Sequence, residues 1–98
     1  MIEIIVLLEV KNETSFKEFE SRAIKIMQKH NGKLVSAFRP NEEESTLPNI
    51  FEVHYLEFPD TNAFNSYKTD PEHNELEELR KHAISKTSVI VSGEKVVY

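Results

Sequence analysis

The sequence has no cysteine, only two glycines in 98 residues, and no apolar run long enough to span a bilayer. Each shortage closes off a class of function. Without cysteine there is neither a disulfide frame nor a thiolate metal site, and nothing points to export. With Gly32 and Gly93 as the only glycines, no Gly-rich phosphate loop exists, and no serine sits in a Gly-flanked nucleophile turn. Basic residues are short as well. Twelve Lys and Arg stand against 17 Asp and Glu, and the net charge of −5 repels phosphate backbones, which argues against nucleic acid as a partner. The histidines His30, His54, His73 and His82 include no pair at the spacing that sets two imidazoles on one face beside a carboxylate, so no metal is expected. The first residues are apolar but carry Glu3 and Glu9 and no basic leader. The expectation is one soluble, cytoplasmic domain over residues 1–98, with no membrane contact and a core that stays thin unless a partner completes it.

What is present centres on Ile50 to His73, where a β-prone run breaks at Pro59 and turns into short helices. This stretch holds His54, Tyr55, Glu57, Tyr67, Asp70 and His73. Before it, Ile2–Val10 predicts a strand that is apolar on both faces in its middle, which means cover on two sides. Ser15 and Glu18 form a capping box that predicts the start of a helix. Along that helix Phe16, Phe19, Ala23, Ile26 and Met27 form one stripe, with Lys17, Glu20, Lys25 and Gln28 expected to face away and Asn31-Gly32 to end it. Lys33–Arg39 reads as a second strand, Pro40–Pro48 as a charged loop and Ile50–Phe58 as a third strand.

After Pro59, Asp60 or Thr61 caps a helix bearing Ala63, Phe64 and Tyr67, and Asp70-Pro71-Glu72 predicts a kinked restart. Leu76, Leu79 and Ala83 make the stripe of that second piece. Thr87–Val91 reads as a last strand, with Gly93 as a break or bulge and Val96–Tyr98 as an extension. The order β-α-β-β-α-β predicts an α+β, ferredoxin-like domain: a four-stranded antiparallel sheet with helices on one face. Ile5, Leu7, Val53 or Leu56, and Val89 or Ile90 then cannot all point at helices. A second copy, sheet against sheet, is the simplest cover, so a homodimer is expected.

This plan, with Glu57-Phe58-Pro59-Asp60 leading into Ala63, Phe64 and Tyr67, then Asp70-Pro71-Glu72-His73 and Leu79-Arg80, resembles the dimeric α/β-barrel superfamily. Its members include antibiotic-biosynthesis-type monooxygenases, EthD-like proteins and stress-responsive barrel proteins. The resemblance implies two subunits with packed sheets and a ligand cavity between each sheet and its helices. It also implies a cofactor-independent enzyme of monooxygenase, isomerase or cyclase type acting on a small apolar or aromatic compound. The alternative is a non-catalytic binding module. Some polyketide cyclases of the stress-responsive branch carry a Tyr and a His spaced like Tyr67 and His73; carried over, Tyr67 holds a substrate oxygen and His73 moves a proton. Those cyclases also tend to have a first-strand His, where this chain has Ile4 and Ile5.

The residues themselves leave plainer alternatives open. His73 titrates near neutrality and suits acid–base work, but equally closes a helical turn. Tyr67 and Phe64 share the apolar side of a short helix, where packing alone explains them. His54 sits mid-strand and needs a hydrogen-bond partner whatever its role. Tyr55 lies on the opposite parity. Arg39 and Arg80 suit a bidentate carboxylate clamp or ordinary ion pairs. The expected site is therefore His73 and Tyr67 as catalytic groups, with His54, Tyr55, Arg39 and Phe64 as ligand-binding groups.

Overall fold

The computed structural model describes residues 1–92 and 96–98. Its elements follow in the order β1 (Ile2–Val10), α1 (Glu13–Lys29), β2 (Lys33–Phe38), β3 (Glu52–Phe58), α2 (Thr61–Thr69), α3 (Pro71–Asn74), α4 (Glu77–Ala83) and β4 (Ile84–Ser92). The strands form one sheet in the order β2-β3-β1-β4, with each neighbouring pair antiparallel. This is the α+β, ferredoxin-like arrangement expected from the sequence, with β1 and β3 central.

Helix α1 starts two residues before Ser15. Asn12, in extended backbone, accepts a hydrogen bond from the Ser15 N–H at 2.8 Å and so caps the helix in place of the Ser15–Glu18 box. At its far end Asn31 takes the left-handed turn with φ 61°. Gly32 is required for room: a Cβ there would collide with the Phe58 ring and the Met27 side chain. Phe58 is fully buried and stacks at 5.2 Å from Phe64 and 5.5 Å from Tyr67, forming the centre of the core.

The second helical region breaks where the sequence demands it. The residue before a proline is driven out of helical backbone. Asp70 accordingly adopts ψ 132°, ends α2, and caps α3 by accepting from the Glu72 N–H, with Pro71 in the first turn. The kink sets Tyr67 and His73 on either side of one corner. Strand β4 begins at Ile84, three residues earlier than Thr87, directly out of α4. Gly93 lies outside the described residues, and Val96–Tyr98 form no strand, so the expected extension is absent.

Alternation settles which side chains face the helices. Ile4 and Leu8 of β1 and His54, Leu56 and Phe58 of β3 are buried under them. Ile5 pairs across the sheet with Tyr55 and Ile90, and Leu7 with Val53, so these residues share the helix-free face. Phe38, opposite Val53, extends the same row and is 61% exposed, and Ile90 is 53% exposed. No helix among the described residues is long and apolar enough to cross a membrane.

Candidate functional site

Between the helix-covered face of the sheet and helices α1 to α4 lies a cavity of about 180 Å³. Its walls are mostly apolar, from Val6, Leu8, Phe19, Leu56, Phe64 and Ile84 among others. Into this surround project Glu20, His54, Tyr67, His73 and Arg80, with Lys68, Thr87 and Val89 also on its lining. Tyr67, His73, His54 and Phe64, singled out in the sequence, are thus brought to one cavity. Tyr55 is not. It stands on the opposite sheet face, where hydrogen bonding to Glu3 raises its pKa above the usual phenol value. Arg39 is not at the cavity either: it donates to Glu52 Oε1 at 3.1 Å, and its guanidinium lies 4.5 Å over the Phe51 ring.

The kink at Asp70 places the Tyr67 and His73 rings edge to face with centroids 4.7 Å apart, and Phe19 meets His73 at 6.4 Å. Burial lowers the His73 pKa, so the imidazole is neutral at physiological pH and free to accept a proton. Burial raises the Tyr67 pKa well above normal, and the negative charge of Glu20 raises it further, so the hydroxyl stays protonated and can donate. Arg80 is engaged in a two-point pair with Glu77, at 2.9 and 2.6 Å, which raises its own pKa.

Glu20 departs from the sequence reading. It was expected to face solvent, yet its side chain is only 18% exposed and lines the cavity. Its Oε2 lies 3.6 Å from His54 Nδ1, while His54 Nε2 donates to Glu52 Oε2 at 2.5 Å. An imidazole thus stands between two carboxylates, with Arg39 held on the far one. Burial pushes the Glu20 pKa up from 4.5 to about 7, against the lowering effect of His54 and with a further push from Glu52. The sequence did carry a signal: Glu20 follows Phe16 by four and precedes Ala23 by three, which puts it at the margin of the buried stripe. Among the described residues no group of His, Asp and Glu has the arrangement of a metal site.

A second, broader depression of about 370 Å³ opens outward beside α1 and β2, lined by Lys17, Leu34, Ala37, Arg39 and Glu52 among others. Glu20 and His54 line this depression as well as the cavity. They are the partition between the two.

Residues 4–94 match the family described as Domain of unknown function (DUF1330), and the chain belongs to that family. No curated protein matches the chain. Among solved structures, a protein of unknown function from Rhodopseudomonas palustris superposes with a TM-score of 0.84 at 15% identity, covering 98% of this chain and 83% of that one. An antibiotic biosynthesis monooxygenase gives 0.69 at 13% identity, covering 98% of this chain and 100% of that one. A dimeric protein of unknown function with a ferredoxin-like fold, from Bacteroides fragilis, gives 0.62 at 16% identity over 93% of each chain. Identities this low establish the shared ferredoxin-like fold and nothing finer.

Proposed function

We propose that this domain takes a small, largely apolar compound into the cavity and acts on it by proton transfer, Tyr67 donating to a ligand oxygen and His73 accepting or returning the proton. The observation that carries the reading is the convergence of Tyr67 and His73, rings 4.7 Å apart, on an otherwise apolar cavity. A buried neutral imidazole and a protonated phenol are suited to polarising a carbonyl and taking up an adjacent proton. Formation of an enolate in this way is a common first step of isomerisation and cyclisation and of attack on dioxygen. Phe64 contributes an apolar wall, and His54 a polar point on the sheet side.

The test is a screen of small aromatic and alicyclic carbonyl compounds, with binding followed by amide shifts of the cavity residues and turnover by loss of compound. Tyr67→Phe removes one hydrogen bond and is expected to weaken binding roughly fivefold to tenfold. His73→Ala is expected to cost about a hundredfold in turnover. If both variants process every bound compound at the wild-type rate, the assignment of these two residues is wrong. Binding without turnover by the wild type would instead mark a carrier.

The working unit we infer is a homodimer that buries the helix-free face. In support, Ile5, Leu7, Val53, Ile90 and Phe38 form a cross-strand apolar band there, and a domain this small rarely leaves such a band wet. Sedimentation of wild type is expected to give twice the chain mass, and Ile5→Lys with Ile90→Lys to give one chain mass with the fold intact. A monomeric wild type at high concentration would remove this part of the reading.

A further inference from the structure

Glu20 is a partly buried carboxylate on the cavity lining that the Tyr67–His73 assignment does not use. We propose that Glu20 takes the proton from the ligand, His73 keeping only the return of a proton to the enolate, that the His54–Glu52 pair carries the abstracted proton to the outer groove, and that the ligand is an enolisable carbonyl compound whose oxygen is held by Tyr67. The inference rests on the reading of the cavity as a ligand site and names its substrate class.

Four observations carry it. First, Glu20 and His54 line both the cavity and the neighbouring groove, so these two side chains link the one to the other. Second, the groups stand in series, with one gap slightly longer than a hydrogen bond. Glu20 Oε2 faces His54 Nδ1 at 3.6 Å, and Nε2 already donates to Glu52 at 2.5 Å, so Nδ1 is the nitrogen able to receive. Third, Arg39 at 3.1 Å holds the Glu52 carboxylate at the groove end. Fourth, Glu20 and Tyr67 line the same cavity and sense one another electrostatically, which sets an acceptor of protons beside a donor of hydrogen bonds. That combination matches the two ends of an enolisable carbonyl: the acidic C–H and the oxygen on which charge develops.

The step balances without an oxidant. The C–H bond beside the carbonyl breaks, its proton forms an O–H bond on Glu20, and its electron pair moves into the carbonyl to give an enolate that the Tyr67 hydroxyl stabilises. The proton then returns to the same or another carbon. Otherwise it passes to His54 Nδ1 while Nε2 gives its own proton to Glu52 and from there to water. A Glu20 pKa of about 7 fits this duty, since a base works best when its pKa lies near the operating pH. The charged and titratable groups around it are His54 and Glu52 from β3, Tyr67 and Lys68 from α2, His73 from α3, Arg80 from α4, Arg39 after β2, and Glu13 and Lys17 on its own helix.

The experiment is exchange of the acidic C–H protons of cyclohexanone, acetophenone and indanone in heavy water, followed by proton NMR with the full-length chain. The wild type is expected to accelerate exchange of a bound ketone along a pH profile rising to a plateau with its midpoint near 7. Glu20→Gln is expected to lower that rate about a hundredfold or more. Glu52→Gln, which removes a charge that raises the Glu20 pKa, is expected to move the midpoint to lower pH, a shift that mere loss of packing does not produce. If a ketone shifts the cavity amides but Glu20→Gln exchanges it within about twofold of wild type, the Glu20 assignment is overturned and the cavity reading stands. A midpoint that Glu52→Gln leaves in place overturns the relay. If none of the ketones shifts the cavity amides, the substrate class named here is wrong, and a cavity that also refuses every compound of the wider screen takes the ligand-site reading down with it.

Discussion

Two carboxylates of the helical layer, the buried Asp70 and the partly buried Glu20, have been treated in opposite ways. Asp70 accepts from His30 Nε2 at 2.7 Å, from Lys29 Nζ at 3.0 Å and from the Glu72 N–H at 2.8 Å, and its pKa lies far below the ordinary carboxylate value. Glu20 is given an imidazole at 3.6 Å, a second carboxylate beyond it and apolar neighbours, and its pKa lies near 7. Burial alone therefore decides nothing; the partners do. At Asp70 the ionised form is fully satisfied, and the residue pins the end of α1 to the kink between α2 and α3. At Glu20 the charge is left under-compensated, which weakens the fold but leaves a group that changes its protonation state near neutral pH. Strain of this kind is what a functional site costs a small domain.

The comparison predicts that one chemical change has opposite signs at the two places. At pH 8, Asp70→Asn keeps an oxygen to cap the Glu72 N–H but removes the buried charge that Lys29 and His30 pair with, and is expected to lower the melting temperature by several degrees. Glu20→Gln at the same pH removes an ionised group that the fold disfavours. At about 1.4 kcal/mol for each tenfold change in proton affinity, displacement from 4.5 to about 7 bounds the gain at about 3 kcal/mol, and residual solvent contact reduces it. Thermal unfolding of both variants decides the matter; melting shifts of the same sign would end the contrast. The stabilised Glu20 variant is also the one expected to lose proton transfer.

The pH dependence sharpens it further. Because the folded pKa of Glu20 exceeds its unfolded value, the native state binds the extra proton between 4.5 and about 7, and wild-type stability falls with rising pH through that window. The advantage of Glu20→Gln should therefore be absent at pH 4 and complete above about 7. Asp70 runs the other way. Its folded pKa is depressed, so its contribution is present above 3.8 and lost only as pH falls toward the folded value. Melting curves at pH 4, 6 and 8 should thus show the Asp70→Asn deficit throughout and the Glu20→Gln gain only in the upper two. A Glu20→Gln gain of equal size at all three would mean that shape, not charge, sets its effect.

The architecture was legible because its signals were local and repeated. Runs of β-prone residues mark β1 and β3, Asp70-Pro71 marks the kink, and the apolar surplus of Ile5, Leu7 and Ile90 implies a sheet face that the helices leave bare. Tyr67 and His73 were legible as a pair through the same kink. Which parity of β3 faces the helices was not, since both mix apolar and polar residues; the fully buried Phe58 at its end decides for His54. For Glu20 the charge predicts solvent exposure while the position predicts partial burial, and position wins. It lies at the edge of the stripe, and only a buried His54 across from it explains a carboxylate turned inward. The helix start was misplaced for a related reason: Ser15 and Glu18 fit a capping box, while Asn12 made the actual cap.

The smallest effect comes from a residue that shares a partner with the strongest one. Lys29 Nζ lies 3.0 Å from Asp70 Oδ2 and 3.1 Å from Glu72 Oε1, so one ammonium serves two carboxylates at nearly equal distance. The Asp70 side chain is 6% exposed, however, and that of Glu72 is 60% exposed. Water and salt already compensate the second carboxylate, and an exposed pair gains little over its hydrated parts. Glu72→Gln keeps the backbone N–H that Asp70 caps and removes only the outer charge, so the melting temperature is expected to stay within about 1 °C of wild type. A loss approaching that of Asp70→Asn would mean that the distance to Lys29, rather than the number of partners gathered around a buried oxygen, holds this corner together, and the contrast with Glu20 would need a different cause.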